Sequence, residues 1–450
     1  MDKTPADLHS RDGWHSVPEL PSLAEVHRSL EIPKQAGFFR KLLAFAGPGY
    51  LVAVGYMDPG NWATDIAGGA QFNFTLLSVI VISNLMAILL QSLALKLGIA
   101  TGRDLAQACR DHFSRPAAFA HWILCEIAIA ACDLAEVIGS AIALKLLFHL
   151  PLLIGVCVTG LDVLLILFLQ GRGFRYIECL VITLITTIGG CFALEILFSR
   201  PDLAGVLGGV LPSPQIATHP GMLYIAIGIL GATVMPHNLY LHSSIVQTRR
   251  YELSASGKRE AIKFATIDST LALMFALFIN AAILVMAAAT FYRAGRHEVA
   301  GIAEAYQLLS PLLGVGGAST LFAIALLASG QNSTLTGTLA GQIVMEGFLN
   351  WRIRPWLRRL ITRFIAIAPA VGVIACFGEK KVEDLLIFSQ VVLSFQLSFA
   401  VFPLVMFTCD KVKMGEFVNP GWVKILSWAV AIVIAVLNAW LLVQAVKGWL

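Results

Sequence analysis

Long apolar runs, separated by short polar connections, recur along the whole 450-residue chain. A helix needs about 20 mostly apolar residues to cross a bilayer's hydrocarbon. The pattern predicts spans near 43–69, 74–98, 118–148, 150–170, 177–198, 221–246, 264–291, 317–346, 359–377, 384–408 and 423–446, an all-α polytopic membrane protein of 11 transmembrane helices. Two spans are interrupted. The runs Gly55-Tyr56-Met57-Asp58-Pro59-Gly60-Asn61 and Ala232-Thr233-Val234-Met235-Pro236-His237-Asn238 each put a proline and polar side chains inside an apolar stretch. A proline removes a backbone N–H and clashes with the carbonyl one turn back, so the helix breaks there. In hydrocarbon the freed carbonyls need another partner. The eighth span is also unusual, because Ser329-Gly330-Gln331-Asn332-Ser333-Thr334 makes its centre polar.

If spans 1–5 and 6–10 are two repeats, the breaks fall at matching positions. Paired interruptions of this kind point to an inverted-repeat transporter with a site near the bilayer midplane. The predicted organisation is a polar cytoplasmic tail over 1–40, partly disordered and without a signal peptide's apolar core. A transporter domain over 41–450 follows, with repeat one about 43–198, repeat two about 221–408 and an extra helix about 423–446.

Composition agrees with the bilayer as solvent: 57% of residues are hydrophobic and 13% charged, against roughly 25% charged in soluble domains. The net charge of +4 says little about partners, since the charges are sorted by side of the membrane. With the N-terminus in the cytoplasm, about 24 of the 32 Lys and Arg fall on that side, as the positive-inside rule requires. The clusters are Arg40-Lys41; Arg103, Arg110 and Arg115; Arg172 and Arg175; Arg249, Arg250, Lys258, Arg259 and Lys263; Arg352, Arg354, Arg358 and Arg359. An odd number of spans then leaves the C-terminus outside. The eight cysteines form no CxxC pair and read as small hydrophobes, not a metal cluster or disulfide framework.

Each ionisable residue within a span costs about 2.5–3.5 kcal/mol at the centre and needs a reason. Asp58 supplies a hard, charged oxygen beside a backbone opened by Pro59 and Gly60, and Asn61 adds an amide oxygen. Asp58 also suits the N-cap of the second half-helix, and the two roles can coexist. Met235 is either packing or a soft ligand. A thioether favours late transition ions and gains nothing with Mg²⁺ or Ca²⁺. His237 is either a neutral buried imidazole or a proton carrier. Glu126, Asp133 and Glu136 share one arc of span 3, which reads as a proton route or as a set of ion pairs with Arg363 as a candidate partner. Gln91 and Gln390 either present amide oxygens to the site or bond to neighbouring helices. Asp162, Asp268, Asn280 and Gln331-Asn332 read as members of interhelical networks, and Gly337 with Gly341 as a small-residue packing face.

The runs Met57 to Asp65, Asp133-Leu134-Ala135-Glu136-Val137-Ile138-Gly139, Gly231 to Ser243 and Ser389 to Ser394 resemble the Nramp family of proton-coupled divalent-metal transporters, above all its bacterial manganese branch. The resemblance implies the LeuT-type 5+5 inverted repeat with broken helices 1 and 6. It implies Asp58, Asn61 and Met235 as side-chain ligands, with the carbonyls of Gly55 and Ala232, and Gln390, joining in particular states. It implies a proton route through Asp58, His237, Asp133, Glu136 and Arg363. Met235 argues against the family's Mg²⁺-transporting relatives. Gly55 stands where the family usually has Ala, and Ser398 where its tenth helix usually has Pro.

The reading is therefore a symporter of Mn²⁺, Fe²⁺ and Cd²⁺ with H⁺, multi-pass in a bacterial plasma membrane. It is not an enzyme, needs no prosthetic group, and has lipid as its surroundings. Neither nucleic acid nor an obligate protein partner is expected. A sodium-coupled amino-acid transporter on the same architecture would have no use for Asp58 together with Met235. A membrane enzyme or metal sensor finds no nucleophile–base pair or sizeable soluble domain.

Overall fold

The computed structural model describes residues 13–14, 20–33, 35–162, 164, 168, 173–299, 301–378 and 380–446. Helices dominate. The first group is α1 (Phe38–Phe45), α2 (Pro48–Gly55), α3 (Pro59–Phe72), α4 (Leu77–Thr101), α5 (Leu105–His112), α6 (Arg115–Phe148), α7 (Leu152–Thr159) and α8 (Phe174–Ser199). Two short helices, α9 (Leu203–Gly209) and α10 (Gln215–Thr218), lead to α11 (Pro220–Thr233) and α12 (Pro236–Ile245). Then come α13 (Ala255–Ala287), α14 (Ile302–Leu313), α15 (Ala318–Leu349), α16 (Pro355–Phe377), α17 (Lys380–Cys409), α18 (Lys411–Met414) and α19 (Gly421–Val446).

Eight helices are long and apolar enough to cross a membrane, among the described residues. Three expected spans fall short of that standard among the described residues, each for a visible reason. The first is divided into α2 and α3, of 8 and 14 residues. The fourth begins as α7, and residues 163, 165–167 and 169–170 of it lie outside the described residues. The eighth is the continuous 32-residue α15, whose polar centre lowers its hydropathy.

The protein is apolar outside, and its hydrophobic interior encloses a set of polar and charged side chains. Phe364, Phe377, Leu197 and Ile425 are largely exposed, while Asp58, Glu136, Arg359 and Gln390 are buried. That inversion suits hydrocarbon, where only satisfied or functional polar groups belong inside. At the centre α6 packs along α15, and α13 packs on α2, α3 and α4. The small-residue face of α15 has a specific purpose. A methyl on Gly337 would lie 3.0 Å from Glu136 Oε1, and one on Gly341 would overlap the Arg358 guanidinium.

The described part of the amino-terminal segment is held against the helices. Residues 20–33 are packed across the helix ends, and β1 (Leu30–Glu31) pairs in parallel with β2 (Arg249–Arg250), Leu30 opposite Arg249. Among the cysteines, Cys157, Cys179 and Cys376 are exposed on the apolar outside, and none is in a disulfide.

Candidate cation site between two broken helices

α2 stops at Gly55, and the chain turns at Tyr56 and Met57, whose N–H groups bond the carbonyls of Ala53 (3.1 Å) and Val54 (3.0 Å). Asp58 is extended (φ −72°, ψ 166°) and caps α3, its Oδ1 accepting the Asn61 backbone N–H at 2.8 Å. Capping and site-building thus coincide in one carboxylate. Two freed carbonyls find neighbours. Tyr56 O accepts from Asn280 Nδ2 (2.8 Å), and Met57 O from Ser329 Oγ (2.5 Å) and Trp62 Nε1 (3.2 Å). At the second break α11 ends at Thr233, Val234 leaves helical geometry (φ −104°, ψ 70°), and Met235 (φ −66°, ψ 122°) precedes Pro236 at the start of α12.

Asn61 joins the two breaks. Its Nδ2 lies 2.8 Å from Asp58 Oδ1, 3.1 Å from Ala232 O and 3.3 Å from Gly55 O. Three oxygens around one amide N–H₂ are a cation-shaped arrangement, and half a turn of the amide would replace the donor by Oδ1. Met235 is fully buried against Cys132 and Leu393. Its sulfur reaches the first break, since a methyl on Gly55 would lie 3.1 Å from Sδ and would overlap the Asn238 amide. Gln390 rests on the other side, where a methyl on Gly60 would overlap its amide. Asp58 Oδ2 and Gln390 Oε1 are buried with no hydrogen-bond partner. Buried oxygens left so are costly unless a cation or proton occupies them.

The structure thus gathers Gly55, Asp58, Asn61, Ala232, Met235 and Gln390. No group of three or more His, Cys, Asp and Glu able to hold a metal occurs among the described residues. The donors here are instead one carboxylate, amides, carbonyls and one thioether.

Gln91 lies one layer away. Its Nε2 donates to Tyr56 OH (2.8 Å) and its Oε1 faces His242 Nδ1 (2.9 Å), so its amide oxygen turns to α12 and not to the cluster. His237, on the first turn of α12, is buried and its Nδ1 has no hydrogen-bond partner.

The span 3 stripe divides. Asp133 and Glu136 meet α16 through Arg359, with Nη1 2.5 Å from Asp133 Oδ1 and Nη2 3.1 Å from Glu136 Oε2. Arg363 Nη2 pairs with Asp162 Oδ2, lies 3.6 Å from Glu136 Oε2, and donates to Thr334 Oγ1 at 2.7 Å. Glu126 is not part of this group. It pairs with Arg358 at 2.8 Å and accepts from Trp122 Nε1 at 3.1 Å. Sequence reasoning assigned Arg358 and Arg359 to a cytoplasmic basic cluster, yet both are buried, Arg359 wholly so. Its signal was available: Arg359 and Arg363 are four apart, on one helix face.

The helix ends at the start of α2 are tied together. Asp268 Oδ2 accepts the Gly49 N–H (2.7 Å), and Arg249 bridges Glu178 (2.6 Å) and Ala46 O (2.6 Å). These bonds hold the start of α2 against α13 and α8. Nearby, Asp104 caps α5 in a capping box with Gln107, and burial pushes its carboxyl up to about 6.

Fold and site together define a multi-pass membrane protein whose two interrupted helices surround a mixed oxygen and sulfur donor set. Residues 49–444 match the Nramp family model, described as natural resistance-associated macrophage protein-like. The chain is 67% identical over 430 residues to the divalent metal cation transporter MntH of a Nostoc species, covering 96% of this chain and 97% of that one. It is 62% identical over 450 residues to the protein of the same name from Bradyrhizobium diazoefficiens, covering 100% of both. Among solved structures, the Eremococcus coleocola manganese transporter in complex with an aromatic bis-isothiourea substituted compound superposes with a TM-score of 0.86 at 44% identity, covering 93% of this chain and 90% of that one. A nucleobase-cation-symport-1 family transporter in a closed conformation shares the fold, with a TM-score of 0.57 at 15% identity over 88% of this chain and 92% of its own. The chain belongs to the Nramp family.

Proposed function

We propose that this protein imports divalent transition-metal ions, Mn²⁺ and Fe²⁺ and also Cd²⁺, into the bacterial cytoplasm together with protons, by alternating access. The observation that carries the reading is the meeting of Asn61 with Asp58, Gly55 O and Ala232 O beside the sulfur of Met235. Relatives at 67% and 62% identity that are named divalent metal cation transporters support the cargo. Asp58 and Asn61 supply hard oxygen, the carbonyls complete it, and Met235 favours transition ions over Mg²⁺ and Ca²⁺. Gln390 joins when the halves close on the ion.

Asp58 releases its proton when the metal binds. His237, Asp133, Glu136 and Arg363 form the route by which it leaves toward the cytoplasm. Asp162 and Arg359 tune that network, and Glu126, paired separately with Arg358, lies beyond it. Gln91 supports the site by linking the two broken helices. The N-terminus is cytoplasmic, the C-terminus outside, and eleven spans cross the plasma membrane.

The test is Mn²⁺ uptake into proteoliposomes at external pH 5.5 and 7.5, with intravesicular pH followed at the same time. Uptake that rises at pH 5.5 and acidifies the lumen supports symport. Metal flux indifferent to pH removes the coupling. Competition by amino acids, with no effect of Mn²⁺, would move the protein to a different substrate class.

A further inference from the structure

The amino-terminal segment binds the cytoplasmic face at points that belong to different parts of the bundle. Trp14 is buried, 5.5 Å edge-on to Phe407 at the end of α17, with the Arg103 guanidinium 4.8 Å and the Lys413 ammonium 5.2 Å from its ring. Gln107 of α5 donates to Leu20 O at 3.2 Å. The Leu23 N–H donates to Glu346 Oε2, at the end of α15, at 2.9 Å. The Arg28 N–H donates to Gln247 O (2.9 Å), and its guanidinium to Tyr251 O (2.7 Å), just beyond α12. β1 then pairs with β2.

Two of these residues hold left-handed backbone. Leu23 has φ 53° and Arg28 has φ 54°. Neither is a residue that adopts this region without cost, and such conformations persist only where surrounding contacts impose them. Both strained positions are sites of attachment. Between the segment and the helices lies a cavity of about 830 Å³, bordered by Val26, Phe174, Ile177, Thr338 and Gln342, while Trp14 and Leu23 reach past it into the hydrophobic core.

The chain continues from this segment directly into α1 and α2. α1 is itself stacked on α13 through Phe45 and Phe264, 5.5 Å apart. Any movement that frees the start of α2 from Asp268 and Arg249 therefore pulls on a segment anchored to α5, α15 and the end of α12.

We propose that residues 20–33 are a strap that holds the cytoplasmic route shut, and that its release from Glu346 and from the Gln247–Tyr251 edge accompanies opening toward the cytoplasm. The inference rests on the alternating-access reading and adds to it a control element outside the bundle.

Hydrogen–deuterium exchange of the full-length protein in lipid nanodiscs tests this. The variants are Leu23→Pro, which removes the N–H and cannot adopt φ 53°, and Arg28→Ala, which removes the bond to Tyr251 O. Arg249→Ala, which breaks the bridge to Glu178 and Ala46, is the reference for opening. Each strap variant should speed exchange at least tenfold at residues 46–56 and 244–251, with the external segments 64–72 and 220–230 unchanged. Fast exchange confined to 20–33 in the strap variants, while Arg249→Ala does speed 46–56, would overturn the strap and leave alternating access standing. No change at 46–56 in Arg249→Ala would remove both.

Discussion

Asn61 donates its side-chain amide to the carbonyl of Ala232 across 3.1 Å, tying the break in the first interrupted helix to the break in the second. The same amide touches Asp58, its own helix's cap. A cation that takes Asn61 as an oxygen ligand must turn this amide and replace the tie with its own bonds. Binding is then coupled to the relative position of the two breaks. Asn61→Ala removes both the proposed ligand and the tie. Mn²⁺ affinity, read by isothermal titration calorimetry, should fall at least tenfold while the protein remains folded.

Gly60 sets the reach of Gln390. A methyl at this position overlaps the Gln390 amide, and both residues are fully enclosed, so the glutamine must leave. Gly60→Ala should leave helix content by circular dichroism unchanged and reduce Mn²⁺ uptake at least tenfold. Gly55→Ala is milder, because its methyl would overlap one atom, Asn238 Nδ2, where a methyl on Gly60 overlaps two of Gln390. A change of about twofold in uptake is expected, in either direction.

Arg359 is the largest electrostatic commitment outside the site. It faces Asp133 at 2.5 Å, Glu136 at 3.1 Å and Asp162 at 3.3 Å with its side chain wholly buried. Removing one partner of a buried ion pair costs about 3–5 kcal/mol, since the charges left behind have no water. Arg359→Ala should lower the melting temperature in detergent by several degrees. Arg359→Lys should recover only part of it, because an ammonium cannot reach separate carboxylates through a planar fork. An Arg359→Ala protein as stable as wild type would mean the network is solvated.

Asp104 gives a pH dependence outside the membrane-spanning segments. Burial raises its pKa from 3.8 to about 6, partly offset by the Gln107 N–H. A carboxyl whose folded value is raised favours folding when protonated. That contribution is fully present below about pH 4 and is lost as pH rises through about 6. Its size is on the order of 1–3 kcal/mol. Asp104→Asn, which stays neutral, should remove this component, so that its melting temperature changes less than wild type's between pH 4 and 7. Parallel profiles would contradict the assignment.

Much of the site was legible because hydrocarbon punishes accidental polarity. Asp58-Pro59-Gly60-Asn61 and Met235-Pro236 stand out from apolar surroundings, and the structure brings them together. The charged network was less legible. Glu126 and Asp133 share a helix face, yet seven residues carry them about 10 Å apart along the axis, far enough to meet different arginines. Arg358 and Arg359 are neighbours in a basic run, and a charge count by side of the membrane cannot say which way each points. About 100° of helical rotation separates them, which turns Arg358 to Glu126 and Arg359 to Asp133. The amino-terminal segment was opaque for another reason. Several of its anchors are backbone groups, Leu20 O and the Leu23 N–H among them, which every sequence contains.

The most direct test of the central claim is Mn²⁺ uptake into proteoliposomes by wild type, Asp58→Ala and Met235→Ala, each with and without excess Ca²⁺ or Mg²⁺. Asp58→Ala is expected to lose uptake, and Met235→Ala to retain Mn²⁺ uptake but become inhibited by Ca²⁺. Variants that take up Mn²⁺ as wild type does, with unchanged selectivity, would contradict that claim and place the cargo elsewhere.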